Sequence, residues 1–285
     1  MKHHPLFGAV CYYEFSGDLI DFIREIDRLG LKWIEYKYDK SLIGRGESSD
    51  TAIIGRALKD AGIGMSIHTP FDGLNIGSTD EAFRIQSVDE LKRSIDYAAD
   101  IGAPSATIHG GQISPVEYTS ENWDKSVAAN LNSLIELAEY GKGRGVALCL
   151  ENGNAYERQW LKHANHHGEM KLIRSQIEEN LFYTVDFGHA LYFSSDPSFM
   201  IRELGQNNVL MTHLHDNQGM FDSHSDLGKG MLNLDALLST MIEDNWTFPV
   251  CLEMKTSEHL QHSVKTLTNS YDKVRERMEQ SMVPK

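Results

Sequence analysis

The chain has 285 residues and 32.2 kDa, with 41% hydrophobic and 24% charged residues, the balance of a folded globular protein rather than a disordered one. Lys plus Arg total 27 against 41 Asp plus Glu, a formal charge of −14, and a field of that sign disfavours nucleic acid as a partner. No apolar run approaches the ~18 residues of a transmembrane helix, and Met1-Lys2-His3-His4-Pro5 precedes no long apolar segment, so the expectation is no membrane span, no signal peptide and a cytoplasmic location.

Eight strands are predicted in chain order: Leu6–Tyr12, Leu31–Tyr36, Gly64–His68, Ser105–His109, Val146–Glu151, Phe182–Asp186, Val209–His213 and Phe248–Glu253. Most are apolar on both faces, as buried parallel strands are. Helical periods lie between them. Asp18–Leu29 places Leu19, Phe22, Ile23 and Ile26 on one stripe, with Gly30 as the stop. Asn122–Tyr140 repeats the scheme, with Gly141 expected to close it. Leu260, Val264, Leu267, Tyr271, Val274 and Met278 mark the last helix. Eight strand–helix units in about 250 residues predict an α/β fold, a single (β/α)8 TIM barrel spanning 1–285. Cys11, Cys149 and Cys251 lie in the strand-like runs without a CxxC pair, and buried free thiols are expected.

In a barrel, chemistry sits where strands end. The third predicted strand ends in His68 and the fourth in His109-Gly110-Gly111. The fifth ends in Glu151-Asn152, and the sixth in Asp186 with His189 three residues on. The seventh ends in His213, followed by Leu214-His215-Asp216-Asn217 and a loop with Asp222, His224 and Leu227-Gly228-Lys229-Gly230. The eighth ends in Glu253. One such residue at a strand end is ordinarily a cap or a solvated group. Six on consecutive strands would crowd carboxylates that repel unless a cation neutralises them. A divalent metal cofactor is therefore expected. Glu151, Asp186, His213 and Glu253 can surround one ion, a hard anionic set suited to Mn2+ or Mg2+, with Co2+ or Zn2+ compatible. His68 and His109 can join Glu151 in a second, zinc-like site, and His189, Asp222 and His224 can form a third, giving one to three ions. The long segments Asn152–Gly168 and Asp216–Leu232 are functional candidates. His163, His166 and His167, with Trp160, are read as a solvated polar lid. His215 is expected behind the ligands rather than among them.

The ordered set His68, His109-Gly-Gly, Leu150-Glu151-Asn152, Asp186-x-x-His189, His213-Leu-x-Asp216, Asp222-x-His224-x-x-Leu-Gly228-x-Gly230, Glu253 resembles the xylose isomerase-like barrel superfamily, which includes endonuclease IV and sugar (phosphate) isomerases and epimerases. The resemblance implies a metal-dependent isomerase or epimerase of a sugar, polyol or sugar phosphate, working by enediolate-type proton transfer. Glu151 and Glu253 would be its acid/base pair, and His189 would orient a hydroxyl. Lys255 and Lys229 are candidates for an anionic group on a small carbohydrate substrate, and a homo-oligomer is compatible. The alternative is an endonuclease IV-like multi-zinc phosphodiesterase acting on abasic DNA, whose nine ligand positions all carry suitable residues here. Phe71 falls where that enzyme has an aromatic residue near DNA. Departures are Gly110 in place of Pro, Met254-Lys255 in place of Thr-Pro, and Gly219 where the ketose epimerases carry a substrate-binding Arg.

Overall fold

The structure, a computed structural model, describes residues 5–11, 18–38, 51–156, 159–177 and 179–281. In chain order it runs β1 (Phe7–Cys11), α1 (Leu19–Arg28), β2 (Trp33–Lys37), α2 (Thr51–Ala61), β3 (Gly64–His68), α3 (Glu81–Ile101), β4 (Ser105–Ile108), β5 (Gln112–Ile113), α4 (Ser120–Arg144), β6 (Ala147–Glu151), β7 (Leu161–Lys162), α5 (His167–Ser175), β8 (Leu181–Asp186), α6 (Phe187–Ala190), α7 (Phe199–Leu204), β9 (Val209–Leu214), α8 (Leu234–Glu243), β10 (Val250–Leu252) and α9 (Ser257–Ser281). Eight parallel strands close into a barrel in the order β1-β10-β9-β8-β6-β4-β3-β2, while β5 and β7 form a separate antiparallel pair. The predicted strands all exist, with their ends shifted by a few residues. Tyr12 lies outside the described residues.

The outward side of the strands and the inner faces of the helices form one apolar layer that includes Ala9, Ile34, Ile67, Leu137, Leu148, Val185 and Leu252. Each fully buried aliphatic side chain in such a layer contributes about 1.5–3 kcal/mol. α1 joins it through Phe22, Ile23 and Ile26, and Asp18 caps this helix by accepting the Asp21 N–H at 2.8 Å. The inward side holds a second, small apolar cluster of Val10, Met211 and Cys251 with Trp33. The Trp33 ring lies across β3, where a Cβ on Gly64 would sit 2.2 Å from it. Cys11, Cys149 and Cys251 are buried free thiols.

One helix boundary differs from expectation. α4 continues through Gly141 and ends at Gly145, whose φ is +75°. Gly141 answers a packing need instead: a Cβ there would lie 2.7 Å from the Val146 carbonyl oxygen at the approach to β6. No helix among the described residues is long and apolar enough to cross a membrane.

Candidate active site

All barrel strands run the same way, so their C-terminal ends share one rim. His68 closes β3, His109 follows β4, Glu151 closes β6, Asp186 closes β8, His213 lies at the end of β9 and Glu253 follows β10. Asp222 and His224 reach the same rim from the loop after β9. Asp216 builds that loop. Its Oδ1 accepts the N–H groups of Asn217 and Leu232, and its Oδ2 accepts those of Gly228 and Gly230. A Cβ on Gly230 would stand 2.3 Å from Asp216 Oδ1, and Gly228 has φ +84°. The Leu-Gly-x-Gly run is thus the wrapping of one carboxylate by backbone amides. Gly110 also answers to contact, since a Cβ there would lie 2.5 Å from the His163 carbonyl oxygen.

The rim side chains converge in three neighbouring groups, the first two sharing Glu151. In the first, His213 Nδ1 lies 3.2 Å from Glu151 Oε1, 3.3 Å from Glu253 Oε2 and 3.8 Å from Asp186 Oδ2. In the second, Glu151 Oε2 lies 2.9 Å from His109 Nε2 and 3.3 Å from His68 Nε2. In the third, Asp222 Oδ2 lies 3.2 Å from His189 Nε2 and 3.1 Å from His224 Nε2. Ring orientation is fixed from behind. His68 Nδ1–H donates to the Thr69 carbonyl, His189 Nδ1–H to that of Asn152, and His224 Nδ1–H to that of Glu253. A carbonyl only accepts, so the proton sits on Nδ1 and the other ring nitrogen faces the carboxylates. Four buried atoms here, Glu151 Oε2, Asp186 Oδ2, Asp222 Oδ1 and His215 Nε2, make no hydrogen bond. Buried carboxylate oxygens left without a hydrogen bond among imidazole nitrogens fit a divalent cation.

The electrostatics say the same. Burial would push the Glu151 carboxyl up, but His109 and His213 beside it hold it well below the usual carboxylate range. Glu253 is likewise held well below it, despite its burial, by Lys37 and His213. Burial opposes a charged imidazole at His189, yet Asp186 and Asp222 raise it to about 10; His215 rises to about 9 against the same burial, chiefly through Asp186. The pocket is a buried excess of negative charge that favours positive charge within it.

Three features lie beyond the expected set. Glu35 and Lys37, alternate residues of β2, both enter the site. Glu35 is fully buried against His213, and Lys37 Nζ pairs with Glu253 Oε1 at 3.0 Å. His215 stands nearer the ligands than expected, with Nε2 3.2 Å from Asp186 Oδ1 and 3.5 Å from Asp222 Oδ1; its imidazole fits only because residue 188 is glycine. It shares one group with Asp186 and His189 and another with His224 and Glu253.

A cleft of about 620 Å³ opens over the rim, lined by Lys37, Phe71, Trp160, Lys162 and Lys255 among others. Phe71 stacks on His109 with ring centroids 4.5 Å apart. Lys229 is exposed in a turn and does not line the cleft. The solvated-lid reading of the loop histidines fails for His163, while His166 and His167 are half-buried and Trp160 is exposed at the cleft. His163 is buried, with Nε2 2.9 Å from Ser126 Oγ, and burial lowers its pKa to about 4. His166 caps α5 through its Nδ1, and His167 opens that helix. The loop is anchored because Leu161–Lys162 pairs with Gln112–Ile113.

The chain belongs to the xylose isomerase-like TIM barrel family, whose model matches residues 23–279. An uncharacterised protein of Methanocaldococcus jannaschii is 26% identical over 194 residues, which are 66% of this chain and 64% of that protein, just under two thirds. The fructoselysine 3-epimerase of Shigella flexneri is 28% identical over 197 residues, 68% of each chain. A Mycoplasma pneumoniae protein named probable endonuclease 4 is 25% identical over 209 residues, 69% of this chain and 70% of that one. Among solved structures, a D-tagatose 3-epimerase-like protein superposes with a TM-score of 0.82 at 22% identity, covering 95% of this chain and 99% of its own. An L-ribulose 3-epimerase gives 0.78 at 20% identity, covering 98% and 99%. At these identities the structural likeness establishes the barrel and leaves the reaction to the site.

Proposed function

We propose that the protein is a metal-dependent isomerase or epimerase of a sugar, polyol or sugar phosphate, moving a proton on carbon next to a carbonyl. One observation carries the reading: Glu151 and Glu253 approach the same nitrogen, His213 Nδ1, at 3.2 and 3.3 Å, from strands on different sides of β9. Two carboxylates so placed flank one substrate position. The sugar epimerases among the relatives and structural neighbours support the substrate class.

Glu151, Asp186, His213 and Glu253 would hold the principal ion, Mn2+ or Zn2+ with Mg2+ or Co2+ also suited; when bound, it supplies Lewis-acid polarisation of the substrate carbonyl. Glu151 and Glu253 remove and return the carbon-bound proton, each from its own side. His189, fixed by the Asn152 carbonyl, orients a substrate hydroxyl. Lys37 holds the Glu253 carboxylate in place and keeps it anionic. Phe71 closes one wall of the cleft against water, and Lys255 at its edge suits an anionic substituent.

The test is hydrogen exchange. With Mn2+-loaded protein in heavy water, at least one member of a panel of ketoses, inososes and their phosphates gains deuterium beside its carbonyl, and Glu253→Gln abolishes the gain. No exchange across the panel overturns proton transfer. A phosphodiesterase reading then takes its place, favoured by the His68–His109–Glu151 cluster beside the principal one. Its own assay is incision of an abasic-site duplex at low salt with Zn2+, lost in Glu151→Gln.

A further inference from the structure

His68, His189 and His224 are each steadied from behind by a backbone carbonyl, and His213 is held differently. His213 uses its Nε2–H on the carboxylate of Glu35, a residue of β2 one interior position below Lys37 at the rim. We infer that Glu35 is a positioning residue of the metal centre: it accepts the His213 Nε2–H, fixes the ring tautomer, and turns Nδ1 toward Glu151, Asp186 and Glu253. The inference rests on the metal reading above and deepens it.

A carboxylate with no exposed surface gives up its hydration, a penalty of several kcal/mol that well-packed apolar residues would avoid. Around it the interior offers just such residues, Val10, Met211 and Cys251. Glu35 is nonetheless held in one orientation by two different partners. Thr107 Oγ1 donates to its Oε1 at 2.6 Å, and His213 takes its Oε2. Thr107 is in turn 2.7 Å from the Thr184 hydroxyl, so a chain of hydroxyls from β4 and β8 fixes the carboxylate from below. With both oxygens engaged, the Glu35 carboxylate cannot rotate without breaking one bond. The His213 ring is therefore set by a rigid post, not by a mobile side chain.

The carboxylate also differs in kind from the carbonyls behind His68, His189 and His224. A charged acceptor makes a stronger hydrogen bond and leaves the opposite nitrogen more basic. Of the rim imidazoles, His213 is thus the one tuned as the strongest donor, and it is the one shared by Glu151, Asp186 and Glu253. Glu35 also adds a negative charge without offering an oxygen to the ion.

Zn2+ alone is the probe. Its affinity is measured by competition with a chromophoric chelator for the wild type, Glu35→Gln and Glu35→Asp. Glu35→Gln keeps the shape and loses the charge, and its affinity falls about ten- to a hundredfold. Glu35→Asp keeps the charge at a shorter reach and recovers part of that loss. A second readout needs no variant at Glu35. In Zn2+-loaded wild type labelled with 15N-histidine, the His213 ring, assigned by its loss in His213→Asn, is protonated at Nε2 and not at Nδ1. Wild-type affinity in folded Glu35→Gln, or a proton on His213 Nδ1 in the loaded wild type, overturns the inference and leaves the metal reading standing. If Glu35→Gln does not fold, the ring tautomer in the wild type decides. Failure of the wild type to bind Zn2+ or Mn2+ at all overturns both, and the two failures are told apart by that first titration.

Discussion

On the outward side of the barrel strands, Ala9, Ile34, Ile67, Leu148, Val185 and Leu252 meet the helices in one apolar layer. On the inward side of the same strands, Val10, Met211 and Cys251 with Trp33 make a small apolar plug, and above it stand Glu35, His68, Thr107, Glu151, Asp186 and His213, all buried. Each strand therefore alternates between two tasks, and the two sides draw on different physics. The outer layer gains free energy from every methylene removed from water. The inner set loses hydration, and pairing between opposite charges is what offsets that cost. Stability and chemistry are then separable by side of the sheet, which gives the comparison its first and largest test. Leu137→Ala, in the outer layer, should lower unfolding free energy by about 2–5 kcal/mol with turnover per folded molecule unchanged. Glu253→Gln, on the inner side, should lower turnover by about 10²–10⁴-fold and metal content with it, while far-UV circular dichroism and cooperative unfolding persist. Loss of the folded state in Glu253→Gln, as judged by that spectrum, would mean the rim carboxylates hold the barrel together after all.

A second test uses a residue that sits between the two regimes. His163 is buried beside the rim, against Trp123 and Ser126, in a neutral form. Burial holds its pKa at about 4, below the ordinary imidazole value of 6.5. A depressed imidazole contributes stability that is fully present above pH ~6.5 and is lost as pH falls toward about 4, because the unfolded chain takes up the proton first. The loss attributable to this residue is up to about 3 kcal/mol. Urea unfolding at pH 7 and pH 4.5 should show a smaller pH-dependent drop in His163→Gln than in the wild type. Equal drops would sink the assignment of His163 to the apolar regime.

What could be read from sequence followed the same division. The outer layer was legible because apolar runs and 3.6-residue stripes report burial directly, and the rim was legible because strands ending in His68, Glu151, Asp186 and His213 put unusual residue types where a barrel has its open end. Glu35 and Lys37 were not. In Trp33-Ile34-Glu35-Tyr36-Lys37 the charges alternate with apolar residues, which in an open sheet marks a solvent face. A closed barrel has no such face, so once eight strands were counted, that alternation pointed inward; this was the available signal. His163 carried none, because a histidine among polar loop residues looks the same whether it is solvated or, as here, buried against Ser126 and Trp123 of α4. The end of α4 was misplaced for a related reason: Gly141 and Gly145 are indistinguishable by type, and only the neighbouring Val146 carbonyl separates a close contact from a helix stop.

The smallest effect expected here probes how the plug and the polar set meet. Gly64 opens β3 in extended conformation, and its φ does not require glycine. What forbids a side chain is the Trp33 ring, 2.2 Å from the position of a Cβ, held by an Nε1–H bond to Ser66 Oγ at 3.1 Å. Gly64→Ala should therefore destabilise by overpacking, about 1–3 kcal/mol, a range lower than that for emptying the outer layer. Trp33→Leu alone should also destabilise, by leaving part of the plug unfilled. In the double variant the added methyl occupies space the ring has vacated, so its loss should fall short of the sum of the two single losses by at least ~0.5 kcal/mol, the coupling expected of residues in contact. Trp33 is two residues from Glu35 on the same side of β2, and a ring pushed toward the rim would disturb the carboxylate above it. Zn2+ affinity in Gly64→Ala should accordingly fall, and recover in the double variant. Strict additivity in stability, with affinity untouched in all three variants, would show that plug and polar set are independent layers, and that the inner side of the barrel is divided once more.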